Sequence, residues 1–308
     1  MLPQRQGSLR LFRLAGIDVY LHWSWFIIAI IELNYRQNSY SSLFWNVAEY
    51  LTLFLIVLLH EFGHALACLQ TGGQANTIVL WPLGGVAYVA PPQRPGAMLW
   101  SIAAGPLVNL ILLPVTLELF VVVKGLGWEH TSPNAYSFLY ALCLINTVLL
   151  LFNLLPVYPL DGGQILRSLL WFILGRARSL TVATVIGLVG AVGFGAFAFY
   201  ERSIWTGLVA FFVFTNSWRS LQQARLLRLI ESAPTRSDAA CPVCQAQPPL
   251  GPFWICHRCR ARFDTFVTGG VCPNCQLQFP VTSCPNCYQT RPIAEWRQPS
   301  PTPERASG

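Results

Sequence analysis

Residues 47–69 read VAEYLTLFLIVLLHEFGHALACL. The stretch is apolar apart from Glu49 and the His60-Glu61-Phe62-Gly63-His64 cluster, and no proline interrupts it. It exceeds the roughly 20 helical residues needed to cross a hydrocarbon core. In a helix, His60 and His64 fall on one face, one turn apart, where both imidazoles can reach one metal ion. Glu61 then lies beside them as a candidate general base. Ionisable groups are costly in hydrocarbon, so a cluster of them inside a span marks a functional site.

Composition agrees with a membrane protein. Hydrophobic residues make up 54% of the 308-residue chain and charged residues 11%, where soluble domains carry about 25% charged. The class read from this is a polytopic α-helical membrane protein with about six spans and a small cytoplasmic tail domain. The spans fall at about 18–35, 46–70, 97–123, 135–155, 180–200 and 204–218. Trp23, Trp25, Trp205 and Trp218 fit an interfacial aromatic belt. The net charge of +7 is almost all arginine, with Lys124 the one lysine. In such a chain it sets topology and meets anionic lipid, and argues against nucleic acid as a partner. Arg5, Arg10 and Arg13 precede the first span with no small-residue cleavage site after it, which reads as an uncleaved anchor. Arg94, Arg167, Arg176, Arg178, Arg219, Arg225 and Arg228 flank the same side. The positive-inside rule then places both termini in the cytoplasm.

Residues 74–92 do not read as helix. Thr77 to Trp81 and Val86 to Val89 are β-rich, and Pro82-Leu83-Gly84-Gly85 supplies a turn. The expectation is a membrane-associated hairpin between the second and third spans. The membrane domain covers 1–220, followed by an amphipathic helix and polar linker over 221–240. A cysteine-rich domain covers 241–296, and a disordered tail 297–308.

A catalytic zinc takes three protein ligands and keeps a position for water. In a membrane domain this poor in acids, Asp161 stands out as the third ligand. It follows Asn153-Leu154-Leu155-Pro156-Val157-Tyr158-Pro159-Leu160, where two prolines break a helix and let the chain double back. Gly162 and Gly163 remove bulk beside the carboxylate. His64 lies six residues, or roughly 9 Å, from the inner end of its span, and Asp161 follows an inner helix end. The competing reading of Asp161 is a helix N-cap with Gln164. Zinc chemistry would give Glu61 the water proton to take and pass to the leaving amine. Asn153 is a candidate donor to the developing oxyanion.

His60-Glu61-Phe62-Gly63-His64, Leu160-Asp161-Gly162 and the preceding Asn153 and prolines resemble, in order and spacing, the site-2 protease family of intramembrane zinc metallopeptidases. The resemblance covers roughly residues 10–220. It implies zinc ligands His60, His64 and Asp161, a catalytic Glu61, and contact of Asn153 with substrate or oxyanion. Gly105-Pro106-Leu107-Val108-Asn109 resembles the family's glycine-to-asparagine element. Trp81 to Gly85 resembles its hairpin, where an unwound transmembrane substrate would pair as a strand. Gly84, Gly85, Gly105, Asn109 and His22 are therefore candidate substrate-binding residues. The implied function is hydrolysis of peptide bonds in or near the transmembrane segments of protein substrates, in a bacterial inner membrane. The alternatives are a non-catalytic metal-binding scaffold and a metal transporter.

The last eight of ten cysteines form four CxxC pairs: Cys241/Cys244, Cys256/Cys259, Cys272/Cys275 and Cys284/Cys287. This is metal-ligand spacing rather than a disulfide framework. Eight thiolates make two structural zinc sites in a double zinc-ribbon-like fold. Sequential, nested and interleaved pairings all satisfy the spacing. So short a segment takes its folding energy from metal, around a small centre of Phe253, Trp254, Phe263 and Phe266. His257 reads as exposed. Arg258, Arg260 and Arg262 form one short basic patch, and a protein partner is favoured for the tail.

Overall fold

The computed structural model describes residues 7–35, 40–81 and 84–296. Arg5, Arg36, the Pro82-Leu83 turn and residues 297–308 lie outside these. The chain divides into two compact units, Met1–Leu221 and Gln222–Gly308.

The first unit opens with β1 (Ser8–Leu14), β2 (Ile17–His22) and a short helix α1 (Ser24–Tyr35). Helix α2 (Leu43–Gln70) carries both histidines and leads into β3 (Gln74–Trp81) and β4 (Gly84–Ala90). Then come α3 (Pro95–Gly125), the one-turn α4 (Trp128–Thr131), α5 (Pro133–Leu154), α6 (Asp161–Leu174), α7 (Arg176–Glu201) and α8 (Ile204–Ser232), whose residues from Gln222 onward are counted with the second unit. Among the described residues, α2, α3, α5 and α7 are long and apolar enough to cross a membrane.

The four strands form one sheet in the order β1-β2-β3-β4, with β2 parallel to β3 between two antiparallel hairpins. The inner face alternates along the strands as a pleat requires. Ile17, Val19, Ile78 and Leu80 are fully buried and pack with Val57, Leu58, Phe62, Ala65 and Cys68 of α2. The sheet therefore clamps the face of α2 beside the one that carries the histidines, which turn toward α3. Arg10, on β1, pairs with Asp18 at 2.6 Å.

Two expected spans differ. Residues 17–22 are a strand, because Ile17, Val19 and Leu21 alternate with Asp18, Tyr20 and His22; a helix would scatter that set around its surface. What remains of the first span is the 12-residue α1, about 18 Å long at 1.5 Å per residue. At the other end, the expected span 204–218 and the amphipathic helix after it are one continuous 29-residue helix. No glycine or proline lies between Leu208 and Ala233 to break it. The hairpin expected over 74–92 is present as β3 and β4.

The second unit is built on two small hairpins, β5 (Trp254–Ile255) with β6 (Arg262–Phe263) and β7 (Val281–Ser283) with β8 (Thr290–Pro292), followed by a 3-10 turn at Ile293–Trp296. Phe263 and Phe266 are buried as expected, but the largest fully buried side chain is Trp296, packed on Phe266. The segment read as a polar linker is part of this unit. Arg236 is 6% exposed, ion-paired to Asp264 at 2.8 Å and stacked over Phe266. The Ala240 N–H donates to the Trp296 carbonyl at 2.8 Å. Asp264 also accepts from the Gly251 and Phe266 N–H groups.

Asp264 is the buried partner of Arg236, whose other contact is the exposed Asp238 at 3.4 Å, and losing the buried partner of such a pair costs up to about 3–5 kcal/mol. Asp264→Ala is therefore expected to loosen the second unit, read as faster tryptic nicking at Arg258 and Arg260 in the full-length protein. Unchanged nicking would show that Arg236 finds adequate solvation without its partner.

Candidate active site

Helix α2 positions His60 and His64 one turn apart, and the first residue of α6 brings Asp161 to them. His60 Nε2 lies 3.0 Å and His64 Nε2 3.3 Å from the same oxygen, Asp161 Oδ2, with the two Nε2 atoms 3.1 Å apart. Both histidines are 6% exposed. The helix cap at this end of α6 is Leu160, which makes no side-chain capping bond. Asp161 is thus not the N-cap. Gln164, its expected capping partner, donates instead to the Pro159 carbonyl.

The backbone explains how a carboxylate so far along the chain arrives here. Cβ atoms on Gly162 and Gly163 would lie 2.3 Å from the Leu154 carbonyl oxygen and 2.3 Å from the Tyr158 nitrogen. Only residues without a side chain let α6 begin against the end of α5. On the opposite side, a Cβ on Gly105 of α3 would fall 2.3 Å from His64 Nε2 and 2.8 Å from His60 Nε2. Gly105 is the surface on which the imidazoles rest. On β4, a Cβ on Gly85 would sit 2.2 Å from Glu61 Cγ, and the Ala87 N–H donates to Glu61 Oε2 at 2.8 Å. The hairpin therefore holds the candidate base directly.

The other Nδ1 atoms are also engaged. His64 Nδ1 bonds the Ser101 carbonyl at 2.9 Å, and His60 Nδ1 bonds Asn109 Oδ1 at 2.6 Å. Asn109 in turn meets Asn146 of α5, and all three of Ser101, Asn109 and Asn146 are fully buried. Asn109, a substrate-contact candidate from sequence, is thus occupied with His60. Asn146 and Ser101 are not among the residues that sequence reasoning singles out. The available signal is a carboxamide in the middle of the apolar run 135–155, where a polar group is expensive without a partner.

The remaining candidates lie around this centre. Asn153 is half-buried one residue before α5 ends, and the carbonyl of its neighbour Leu154 abuts Gly162. His22 stacks on Trp81 at 4.1 Å and shares a hydrogen bond with Ser24, outside the ligand cluster. Gly84 pairs with Trp81 at the tip of β4.

The donor sets can be tested against a zinc ion. Nitrogen and oxygen ligands about 2.0–2.1 Å from a tetrahedral ion stand about 3.3 Å from one another, and thiolates at about 2.3 Å stand about 3.8 Å apart. The 3.0–3.3 Å separations among His60, His64 and Asp161 fit the first case. In the second unit, Cys241 and Cys244 group with Cys284 and Cys287, and Cys256 and Cys259 with Cys272 and Cys275. Their cross-pair S···S distances are 3.7, 3.7, 3.5 and 3.5 Å. These are far beyond the roughly 2.05 Å of a disulfide and suit thiolates around an ion. The pairing is nested, first with fourth and second with third. The Ala261 N–H holds the pKa of the Cys259 thiol down to about 6. Cys275 is pushed up to about 12 against the pull of the Leu277 N–H, by burial and by Cys256, Cys259 and Cys272. Four thiols this close do not ionise together without a cation among them. His257 is exposed and stands outside both groups.

Comparison with known proteins bears on the first unit. A model of peptidase family M50 matches residues 48–129 and 123–194. The solved site-2 protease from Methanocaldococcus jannaschii is 30% identical, with a TM-score of 0.51 over 70% of this chain and 95% of that one. The chain belongs to peptidase family M50, the family of the site-2 proteases. A zinc metalloprotease of Methanocaldococcus jannaschii is 36% identical over 209 residues, which is 67% of this chain and 58% of that protein. The chain thus spans under two thirds of the length of that family relative. Stage IV sporulation protein FB of Bacillus subtilis is 35% identical over 118 residues, 38% of each chain. The M50 match contains His60, His64, Asn109, Asn146 and Asp161, and ends before the first CxxC pair.

Nested pairing makes a specific demand on metal content. With three donor groups among the described residues, the Cys241→Ser/Cys287→Ser double variant should lose one tail zinc, whereas Cys241→Ser/Cys256→Ser should lose both. Elemental analysis of the purified proteins reads the difference. Sequential pairing would reverse the two results.

Proposed function

We propose that this chain is an intramembrane zinc endopeptidase that hydrolyses peptide bonds in or near transmembrane segments of membrane-protein substrates. The observation that carries the reading is the convergence of His60, His64 and Asp161, from two distant helices, to within 3.3 Å of one another beside Glu61. His60 Nε2, His64 Nε2 and the Asp161 carboxylate would hold the ion. When bound, zinc acidifies a coordinated water and polarises the scissile carbonyl.

The chain's own residues do the rest. Glu61 takes the proton of the attacking water and delivers it to the leaving amine. Its Oε2 is anchored by the Ala87 N–H, which leaves Oε1 to move the proton. Asn153 is assigned as a donor to the oxyanion that forms as the carbonyl is attacked. β4 is one of the two edge strands of the sheet among the described residues, β1 being the other, and it is the strand that touches Glu61. An unwound substrate adding to that edge by β-augmentation would bring a peptide bond beside the base. A helical substrate could not be cut directly, since its peptide groups are already paired within the helix.

On the same reading the protein lies in a bacterial inner membrane with both termini in the cytoplasm. The parallel pairing of β2 with β3 supports this. β3 follows the inner end of α2, so β2 and the N-terminal hairpin lie on that side too. Eight reduced thiols suit the same compartment. The cysteine unit is assigned to protein contact, since Arg258, Arg260 and Arg262 form one short run rather than a broad basic face.

Glu61→Gln tests the function. The variant should bind zinc as the parent does while cleavage falls by about 10²–10⁴. The readout is recovery of new protein termini from membranes of cells carrying either form. Cleavage at the parent rate, or zinc flux into vesicles with no peptide cleavage, would end this reading.

A further inference from the structure

His60 and His64 reach their metal-facing state by different routes. His64 Nδ1 meets the Ser101 main-chain carbonyl at 2.9 Å. A carbonyl only accepts, so Nδ1 must carry the proton and Nε2 keeps its lone pair. No side-chain substitution can remove that constraint.

His60 has no such backbone partner. Its Nδ1 faces a carboxamide, whose two ends could either accept or donate. The ambiguity is removed further away. Asn146 bonds the Asn109 main-chain carbonyl at 3.0 Å. That carbonyl has no proton, so the Asn146 amide must present its NH₂ there. Its oxygen is then left facing Asn109, at 2.8 Å, where the Asn109 NH₂ must donate. The Asn109 oxygen is therefore the end that faces His60, at 2.6 Å. An acceptor there requires the proton on His60 Nδ1, which leaves the lone pair on Nε2. Nε2 is the atom 3.0 Å from Asp161 and 3.1 Å from His64. Each bond in the chain has one allowed direction, and the first is set by a backbone carbonyl on α3. Both asparagines are fully buried, so water offers no alternative partner.

We propose that Asn146 is a positioning residue for zinc binding: through Asn109 it fixes His60 in the tautomer whose Nε2 faces the ligand cluster. The proposal rests on the zinc-peptidase reading above. It assigns a role to a side chain on α5 that touches neither ligand nor substrate. Partners that orient a ligating histidine in this way are worth about 10–100-fold in metal affinity.

The test is zinc release to a competing chelator from the full-length protein in detergent. The membrane-site zinc is identified as the release step missing from a His60→Ala variant. The tail zincs serve as an internal reference. Asn109→Leu and Asn146→Leu should each weaken the membrane-site zinc by about 10–100-fold. The double variant should be no weaker than Asn109→Leu alone, because both act through one chain of bonds. Asn146→Asp should stay near the parent, since a protonated carboxyl accepts from Asn109 and donates to its carbonyl as the amide did. Parent-like affinity in Asn146→Leu would overturn the proposal. So would losses that multiply in the double variant, or an Asn146→Asp as weak as Asn146→Leu. If the parent releases no more zinc than His60→Ala, the zinc-peptidase reading fails instead.

Discussion

Three polar donor atoms lie within 3.3 Å of one another inside an apolar helical bundle. Hydrocarbon supplies no water to solvate them, and an unpaired polar group there costs several kcal/mol. The surrounding architecture reads as the response to that cost. Both Nδ1 atoms are bonded, Glu61 is held by a strand N–H, and the asparagines behind His60 complete one another. His60 Nε2, His64 Nε2 and Asp161 Oδ2 are left facing each other across the ligand cluster.

Close approach is the second requirement, and glycine meets it. α3 packs against α2 at Gly63, where a Cβ would lie 2.6 Å from the Ala104 carbonyl oxygen, and at Gly105 beneath the imidazoles. The sheet closes on Glu61 at Gly85, and α6 starts against α5 at Gly162. Each glycine removes a side chain where backbone must come within contact distance of a functional group. The result is a site enclosed by four helices and a sheet edge, with small residues as the joints. A methyl group at any of these joints would displace either a ligand or the backbone that carries one.

Much of this is legible in the amino-acid sequence. The helical spacing of His60 and His64, the scarcity of acids, the proline-broken segment before Asp161 and the shared inner side of their helix ends single out the candidate ligand set. The β3–β4 hairpin is readable from its β-branched runs and central glycines. What is not readable comes from partners distant in sequence. Residues 17–22 look apolar enough to begin a span, and their period of two acquires meaning only beside β3, which arrives after α1 and α2. Asn146 is one carboxamide in an apolar run, and its worth depends on Asn109, 37 residues away. Arg236 likewise sits in a segment that resembles a linker until Asp264 and Phe266 meet it from 28 and 30 residues further on. The nested pairing of the cysteines belongs to the same class, since spacing within each CxxC is local and pairing between them is not.

The two kinds of candidate metal-ligating group among the described residues show how donor number separates structure from reaction. Each cysteine quartet supplies four thiolates, enough to fill a tetrahedral shell and exclude any further ligand. Such a site can brace a fold, which suits the second unit, whose short hairpins bury few large side chains. The membrane cluster stops at three donors, and the residues around it leave no fourth ligand among the described ones. Glu61 stands outside that donor group, with its Oε2 held by the Ala87 N–H and its side chain against Gly85. A saturated site gains nothing from an adjacent base. On the proposed function, an incomplete one with a carboxylate fixed beside it is organised to admit a further molecule, and β4, which fixes that carboxylate, is also an edge strand of the sheet among the described residues.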